Sequence, residues 1–303
     1  MPHNGRLLIV GSLAFDSVET PAGRIEKALG GSALYASVAA SYFTNPCVVG
    51  IVGDDFLDEH IAVMRDRGVD TRGIERVSGE TFHWAGRYRA NFKERDTLVT
   101  CLNVFEDFNP GIPEDYRGCT HVFLGNIDPV LQGRVLDQVG ETAMVGMDTM
   151  NFWIQHSPDA LRAVMKRIDI LFINDEEAFE LSGEFSILRA AEKILGMGPR
   201  YLVIKRGEYG ALLFGEDIRL FVPAVLLPAI VDPTGAGDAF AGGFSGYVAA
   251  REASDRQTLA NALLAGTAMA SYSVESFSVD TLARLTEEDV RARLSQLELM
   301  IRF

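Results

Sequence analysis

Short apolar runs rich in β-branched residues alternate along the chain with segments whose apolar residues recur at helical spacing. The runs predict six strands, near Leu7–Gly11, Val48–Val52, Val122–Leu124, Met144–Met147, Ile170–Ile173 and Leu202–Lys205. The periodic segments predict helices at Ser32–Phe43, Phe56–Arg67, Pro129–Val139, Asp159–Arg167, Glu176–Leu181, Ile187–Leu195 and Thr258–Tyr272. Such alternation is typical of a parallel sheet with helices on both faces, where ligands bind at the carboxyl ends of the strands.

One region interrupts the alternation. Between Glu75 and Val104 the sequence has no helical pattern, and the segments Phe82–Arg89 and Thr97–Asn103 alternate like strands of a small exposed sheet. Phe15–Ile25 is expected to supply further strands to it. We therefore expect one domain over residues 1–303, in which a lid of about 13–27 and 75–107 is inserted into a main α/β part of about 1–12, 28–74 and 108–303. An insertion that forms only surface loops is the alternative.

Composition indicates a single well-packed domain with few possible polyanionic partners. The 303 residues are 48% apolar and 23% charged, and a chain of this length buries about three quarters of its unfolded surface. The net charge of −14 disfavours nucleic acid and anionic membrane surfaces. A nucleotide would have to be held by local fields, from a helix N-terminus, a divalent metal and a few cations.

The cysteines and the N-terminus indicate the compartment. Cys47, Cys101 and Cys119 are odd in number and lack Cys-x-x-Cys spacing, so they predict neither a disulfide framework nor a structural zinc site. Residues 1–5 lead directly into a strand, without a basic segment, a long apolar stretch or a cleavage site. We expect a cytoplasmic protein with no membrane span.

Residues 232–244, with the sequence DPTGAGDAFAGGF, carry the clearest chemical signal. They lie between the apolar run 224–231 and a helical pattern over Ala239–Arg251, which predicts a strand-to-helix junction. The amides of Gly235-Ala236-Gly237 would then lie at a helix N-terminus, which attracts anions such as phosphate. A carboxylate at Asp238 would weaken phosphate binding, unless it accepts the proton of an attacking hydroxyl. A simple helix cap is the alternative for this aspartate.

The same segment closely resembles the C-terminal signature of the ribokinase-like, or PfkB-type, family of carbohydrate and nucleoside kinases. The resemblance implies a three-layer α/β/α fold with a central, mostly parallel sheet and a small β-sheet lid. It also implies transfer of the γ-phosphoryl group of ATP to a hydroxyl of a sugar-containing small molecule, with Mg²⁺ as cofactor, Asp238 as base and the Gly235-Ala236-Gly237 amides stabilising the transferred group. No P-loop motif and no protein-kinase His-Arg-Asp loop is found in the sequence.

The N-terminal third matches the family's pattern of an early aspartate followed by a glycine pair. Asp16 follows the first strand, and Gly30-Gly31 opens a predicted helix, so the resemblance implies that these residues contact the substrate. Taken alone, they would be an ordinary turn aspartate and turn glycines. Where sugar kinases of the family often carry an asparagine, this chain has Tyr35, which offers one hydroxyl and a stacking face.

The acceptor remains open at this point. Tyr35 and the lid aromatics Phe82, Trp84 and Tyr88 slightly favour a nucleoside over a free sugar, although the lid aromatics could equally form the core of the lid or a dimer contact. A sugar-phosphate or inositol kinase of the same family is the alternative. A sugar phosphate would require nearby cations, for which the candidates are Arg24, Lys27, Arg87 and Arg89.

Polar residues at other predicted strand ends complete the expected site. Asn174 and Glu177 match the family's Asn-x-x-Glu motif, which implies a Mg²⁺ site held partly through water, while a capping box is the alternative and compatible interpretation. Lys205 and Gly207 resemble the nucleotide-binding strand end, unless they form only a solvated turn. Two weaker substrate-binding candidates follow other strands, Asn126 and Asp148.

Two further expectations come from relatives. Asp232 and Thr234 match positions at a monovalent-cation site beside the anion hole, so we expect Thr234 to contact the nucleotide and Asp232 either to bind K⁺ or only to brace the turn. The exposed face of the lid is expected to form a homodimer. A non-catalytic protein that binds nucleotide or sugar is the alternative from another functional class.

Overall fold

The structure is a computed structural model that describes residues 6–302, so the expectation about the first five residues lies outside the described part. Its strands, β1 to β13 in chain order, are Leu7–Val10, Ala14–Thr20, Gly23–Gly30, Cys47–Val52, Asp70–Arg76, Phe82–Tyr88, Arg95–Cys101, His121–Leu124, Met144–Asp148, Ile170–Asn174, Tyr201–Lys205, Ala211–Phe214 and Arg219–Val222. Its helices, α1 to α11, are Ser32–Ala40, Asp58–Arg65, Pro129–Leu136, Asn151–His156, Pro158–Met165, Asp175–Ser182, Ile187–Leu195, Ala236–Arg251, Arg256–Ser273, Asp280–Arg284 and Glu287–Ile301.

A nine-stranded sheet in the order β13-β12-β11-β10-β9-β8-β1-β4-β5 forms the centre of the fold. Seven neighbouring strands of this sheet are parallel: β11, β10, β9, β8, β1, β4 and β5. Strand β12 pairs antiparallel with β11, and β13 pairs antiparallel with β12. Alternate residues of β1 point to opposite faces: Leu7 and Ile9 join a core with α1, α8 and α9, whereas Leu8 and Val10 join a second core with α3, α5, α6 and α7. This arrangement confirms the expected three-layer α/β/α fold, and burial on both faces explains the continuous apolar runs of the central strands.

A second sheet has the order β3-β2-β6-β7, and we call it the small sheet. The β2–β3 and β6–β7 pairs are antiparallel hairpins, and β2 pairs with β6 in parallel. Its strands span 14–30 and 82–101, so β3 extends three residues beyond the expected lid segment, and residues 75 and 76 belong to the large sheet. Strand β7 forms an edge, and all seven of its residues are exposed.

The six predicted strands and seven predicted helices are each confirmed by an element at the same place. The prediction of a strand before the glycine turn is wrong, since residues 223–234 contain no helix or strand. Pro223, Pro228 and Pro233 remove the backbone donors that a strand would need there. Within residues 6–302, no helix is both long and apolar enough to cross a membrane.

Candidate active site

Three neighbouring strands end in polar side chains at the same edge of the large sheet. β9 ends at Asp148, β10 at Asn174 and β11 at Lys205. In this parallel register Asn174 lies beside Lys205, and Asp148 pairs with Phe172, two residues before the end of β10. The Lys205 Nζ donates a hydrogen bond to Asp148 Oδ2 at 2.6 Å. The structure thus joins a predicted nucleotide-binding residue to a predicted substrate-binding residue in one ion pair.

The glycine turn brings the N-terminus of α8 to this edge. Gly235 is the N-cap residue, with a φ of 74° that favours glycine, and any side chain there would overlap the ring of Tyr35. The amide of Ala236 donates to the carbonyl of Pro233 at 3.2 Å. Among residues 6–302, the amides of Gly235 and Gly237 find no backbone acceptor. Two of the three amides predicted for the anion site are therefore free to bind an anion.

Lys205 lies directly beside this turn. A Cβ atom at Gly237 would be 3.0 Å from the Lys205 Nζ, so glycine is what lets the ammonium group approach the helix N-terminus. Burial acts to lower the pKa of Lys205, but the carboxylates of Asp148 and Glu177 outweigh burial and raise it. Lys205 therefore stays charged at the point where a phosphate would meet the free amides.

Asp238 is the third residue of α8, and its environment suits a base. The N-cap residue is Gly235, and Asp238 lies inside the first turn of the helix. Burial raises the pKa of Asp238 to about 7, and the charge of Asp148 adds to this effect, while Lys205 opposes it. A carboxyl group with a pKa near the working pH is matched to proton abstraction.

Asp16, Gly30 and Gly31 form a second group that faces Asp238. The Asp16 carboxylate fits against Gly30, where a side chain would overlap it, and the Gly31 amide lowers its pKa by hydrogen bonding. Burial and the charges of Asp232 and Asp238 outweigh that contribution and raise the pKa of Asp16 to about 7. The structure therefore brings the predicted acceptor-binding residues and the predicted base to one cleft.

Two predicted substrate-binding side chains are engaged elsewhere. Tyr35 is only 1% exposed and packs beneath Gly235, so its ring supports the glycine turn and offers no face for stacking a substrate. Burial and nearby carboxylates raise the pKa of its hydroxyl well above the ordinary value. The Asn126 Oδ1 accepts a hydrogen bond from the Trp153 indole at 3.0 Å.

The lid aromatics separate into different roles. Phe82 stacks on Phe105, with ring centroids 5.5 Å apart, and belongs to the junction with the large sheet. Tyr88 accepts a hydrogen bond from the Thr234 hydroxyl at 3.2 Å and thereby links the small sheet to the glycine turn. Trp84 pairs in register with Asp16, so its side chain lies on the same face of the small sheet as that carboxylate.

Arg95 is a functional candidate that the sequence analysis missed. Its guanidinium lies 5.3 Å from the centre of the Trp84 ring, and its charge lowers the pKa of Asp16 and of Asp238. No sequence motif marks this residue. Only the strand pairing of the small sheet could have placed it at the cleft.

Asn174 and Glu177 form a capping box at the start of α6. The Asn174 Oδ1 accepts from the Glu177 amide, and the Glu177 Oε2 accepts from the Asn174 amide, both at 2.8 Å. The capping interpretation is confirmed. Burial raises the pKa of Glu177 to about 7, while Lys205 acts to lower it. Glu177 therefore makes a structural hydrogen bond and also has a carboxyl group whose pKa is raised by burial.

The charges around this helix start fit a divalent cation. Asp148, Glu177 and Asp238 are three carboxylates close to one ammonium group, Lys205. Within the described residues, no three His, Cys, Asp or Glu side chains converge to enclose a metal by themselves. This donor set suits Mg²⁺, which usually takes one or two carboxylates and completes its shell with phosphate oxygens and water.

Asp232 lies beside the glycine turn and is 1% exposed. Its Oδ1 accepts from the Thr234 amide at 2.9 Å, whereas its Oδ2 is buried without a hydrogen-bond partner among the described residues. Burial raises the pKa of Asp232, against the effect of the hydrogen bond from the Thr234 amide. Gly207 follows β11 in open space, with a φ of 53°, next to the Lys205 end of the strand.

Comparisons with known proteins identify the family and the fold of the chain. Residues 6–284 match the sequence profile of the pfkB family carbohydrate kinases. The chain is 32% identical over 248 residues to a cytidine kinase from Thermococcus kodakarensis, which covers 80% of this chain and 88% of the relative. The fold is similar to a nucleoside kinase from Methanocaldococcus jannaschii, an archaeal member of the ribokinase family, with a TM-score of 0.77, 20% identity and coverage of 98% and 100% of the two chains. It is also similar to an E. coli protein solved in complex with ATP and Mg²⁺, with a TM-score of 0.77, 20% identity and coverage of 96% and 99%.

Proposed function

The chain belongs to the pfkB family of carbohydrate kinases, and from this premise we propose that it transfers the γ-phosphoryl group of ATP to a hydroxyl of a nucleoside. The observation that carries the nucleoside assignment is the similarity to the cytidine kinase over most of both chains. Cytidine is therefore the first acceptor to test. The small sheet acts in this proposal as a lid that closes over the cleft and excludes water.

Each group of the cleft has a role in the transfer. Asp16 binds hydroxyls of the acceptor sugar, and Asp238 takes the proton of the attacking hydroxyl as its oxygen forms the new bond to phosphorus. The bond from the γ-phosphorus to the bridging oxygen breaks, and that oxygen leaves with ADP. The Gly235 and Gly237 amides and Lys205 bind the phosphoryl oxygens, where charge is concentrated. Mg²⁺, held by Glu177 and organised near Asn174, would neutralise phosphate charge when bound.

Charge pairing disfavours a sugar phosphate as acceptor. Three of the four cations that could have bound a second phosphate are paired with carboxylates on the surface: Arg24 with Glu26, Arg87 with Glu19, and Arg89 with Glu94. Trp84, in contrast, lies on the Asp16 face of the small sheet and offers an aromatic surface to a base. Among the described residues, the cleft therefore lacks a cluster of cations for a second phosphate and offers an aromatic surface to the acceptor.

The test is ADP release with ATP and Mg²⁺ over a panel of nucleosides, pentoses, hexoses, inositols and sugar phosphates. We expect turnover with cytidine or another nucleoside and little with the remaining classes. Turnover confined to a free sugar or a sugar phosphate would contradict the nucleoside assignment. Clear nucleotide binding without turnover on any acceptor would support the non-catalytic alternative.

The buried, unpaired Oδ2 of Asp232 supports a monovalent cation beside the glycine turn. K⁺ is the proposed occupant, since it can be coordinated by carboxylate and carbonyl oxygens without the strict octahedral geometry that Mg²⁺ requires. Replacing K⁺ by tetramethylammonium at constant ionic strength should lower kcat. Equal rates in the two salts would leave Asp232 with the bracing role alone.

We also propose that the small sheet forms a homodimer. Its edge strand β7 is entirely exposed and carries Leu98 and Val99, which are 53% and 40% exposed. An exposed apolar edge strand is a template for pairing with another chain. A second copy of this chain presents the same edge and can pair around a two-fold axis.

A further inference from the structure

Arg95 begins β7 on the side of the small sheet that faces the cleft. In the antiparallel β6–β7 pair, Arg95 is directly opposite Tyr88, so their side chains leave the same face. Tyr88 contacts Thr234, the residue before the glycine turn. The position of Tyr88 therefore fixes the direction of Arg95, which projects toward the N-terminus of α8.

The contacts of Arg95 place its guanidinium over the cleft. The group lies 5.3 Å from the centre of the Trp84 ring, and Trp84 is paired in register with Asp16. Its charge lowers the pKa of the Asp16, Glu177 and Asp238 carboxylates. These carboxylates come from different elements, so the charge of Arg95 acts across the cleft.

Arg95 differs from its neighbours in having no carboxylate bound to it. Arg87 is paired with Glu19 at 3.0 Å, and Arg89 with Glu94 at 3.0 Å. Among residues 6–302, Arg95 has no carboxylate within ion-pair distance. Its donors are therefore free for a ligand, apart from an interaction with the Tyr88 hydroxyl.

The charge balance of the cleft calls for such a donor. Asp16, Asp148, Glu177 and Asp238 lie around the place where a phosphoryl group would arrive, and the ammonium group of Lys205 is already bound to Asp148. A phosphoryl group with two negative charges adds to this excess. A guanidinium offers five donors in a planar fork that matches phosphate oxygens.

We propose that Arg95 is a catalytic residue that binds the γ-phosphoryl group of ATP when the small sheet closes. This inference rests on the phosphoryl-transfer site proposed above. Arg95 leaves the Trp84 ring for the phosphoryl oxygens, and Trp84 becomes free to stack on the acceptor. The small sheet thereby senses the γ-phosphate, since only the triphosphate supplies the anion that draws Arg95 into the cleft.

The test compares Arg95→Gln with Arg89→Gln, a matched control on the same hairpin whose guanidinium is bound by surface carboxylates. The dissociation constants of Mg²⁺–AMP-PNP and Mg²⁺–ADP are measured by calorimetry, together with the kcat for cytidine. We expect Arg95→Gln to weaken AMP-PNP binding by roughly ten- to a hundredfold and to leave ADP binding unchanged. The kcat should fall by about 10²-fold, the usual cost of losing one donor to the transferred group. Arg89→Gln should behave as the unmodified protein.

Two results would overturn the proposal. One is an Arg95→Gln protein with unchanged kcat and an unchanged ratio of AMP-PNP to ADP affinity. The other is a rise in the KM for the acceptor alone, which would make Arg95 an acceptor-binding residue. If Arg95→Gln folds poorly by thermal melting, Arg95→Lys keeps the positive charge and should retain part of the affinity difference. The affinity ratio needs no acceptor, so it tests Arg95 even if cytidine and every other nucleoside fail as substrates.

Discussion

At the scale of single residues, the reactivity of Asp238 depends on groups far away in sequence. Asp148 and Lys205 come from two different strands, and they act in opposite directions on the pKa of Asp238. Burial has the largest effect and raises that pKa to about 7. As the proposed base, Asp238 would thus exchange its proton near neutral pH, although an ordinary aspartate has a pKa of about 3.9.

The pH profile of kcat/KM should report this raised pKa. A base must be ionised to accept a proton, so kcat/KM should fall as the pH is lowered through about 7. The slope below pH 7 should exceed one, because the pKa of Asp16, the proposed acceptor-binding carboxylate, is also about 7. The profile is measured from pH 5.5 to 8.5 with the preferred acceptor. A flat profile over this range would mean that the essential base keeps an ordinary carboxyl pKa.

Individual site residues were predictable to different degrees. Gly235 and Asp238 belong to a local sequence motif, so their positions at a helix start follow from the pattern. Asp16 was expected just after the first strand and lies within β2. The buried place of Tyr35 depends on the close approach of α1 to Gly235, and Arg95 reaches the cleft through the pairing of β6 with β7. Neither contact has a signature within a short stretch of chain.

At the scale of elements, the start of α8 depends on the shape of the glycine turn. Gly235→Ala would have both an unfavourable φ and an overlap with the Tyr35 ring. We expect it to lower the free energy of unfolding by roughly 2–4 kcal/mol, from left-handed strain and overpacking together. Chemical denaturation measures the loss.

The matched control for this change is Gly207→Ala. Gly207 has a similar φ of 53° but lies in open space, so the substitution should cost only the strain of about 1–2 kcal/mol. Equal losses in the two variants would show that the Tyr35 contact does not constrain the turn.

The start of α6 combines a cap with a proposed metal ligand, and two substitutions separate these roles. Asn174→Ala removes the cap and should destabilise the protein by about 1 kcal/mol. Glu177→Gln keeps an oxygen that can accept from the Asn174 amide, so stability should be preserved. The Mg²⁺ concentration for half-maximal activity should nevertheless rise roughly tenfold or more. An unchanged Mg²⁺ requirement in Glu177→Gln would leave this residue with the cap alone.

Elements with strong periodicity were predictable, and those defined by context were not. The amphipathic α7 begins at Ile187 and ends at Leu195, as predicted. Its buried residues Ala190, Ala191 and Ile194 lie on one face, and this spacing is what made the helix recognisable in the sequence. The hairpin of β12 and β13 was not predicted, since its strands are too short to show a clear alternation of apolar and polar residues. The run 224–231 is apolar enough for a strand, but it is flanked and interrupted by proline.

At the scale of the whole molecule, the small sheet has two distinct faces. Trp84, Tyr88 and Arg95 lie on the face toward the cleft, while Val99 pairs with Ala85 on the opposite face. The first face is proposed to close over the ligands, while the edge strand β7 is proposed to pair with another copy of the chain. Dimerisation would therefore restrain the sheet that closes.

Val99→Lys should break the proposed dimer, because it introduces charge where two apolar edges meet. Light scattering at micromolar concentration should give the mass of a dimer for the unmodified protein and a monomer for Val99→Lys. Phe185→Lys is the control, since Phe185 is 96% exposed in the loop between α6 and α7. A monomeric unmodified protein would refute the assembly.

The central claim is that this chain is a kinase in which Asp238 is the base, and the most direct test is ADP release by Asp238→Asn. The control is Asp217→Asn, an exposed position on the β12–β13 hairpin. We expect Asp238→Asn to lower kcat by about 10² to 10⁴ with an unchanged melting temperature, whereas the control remains fully active. Full activity of a folded Asp238→Asn protein would contradict the account.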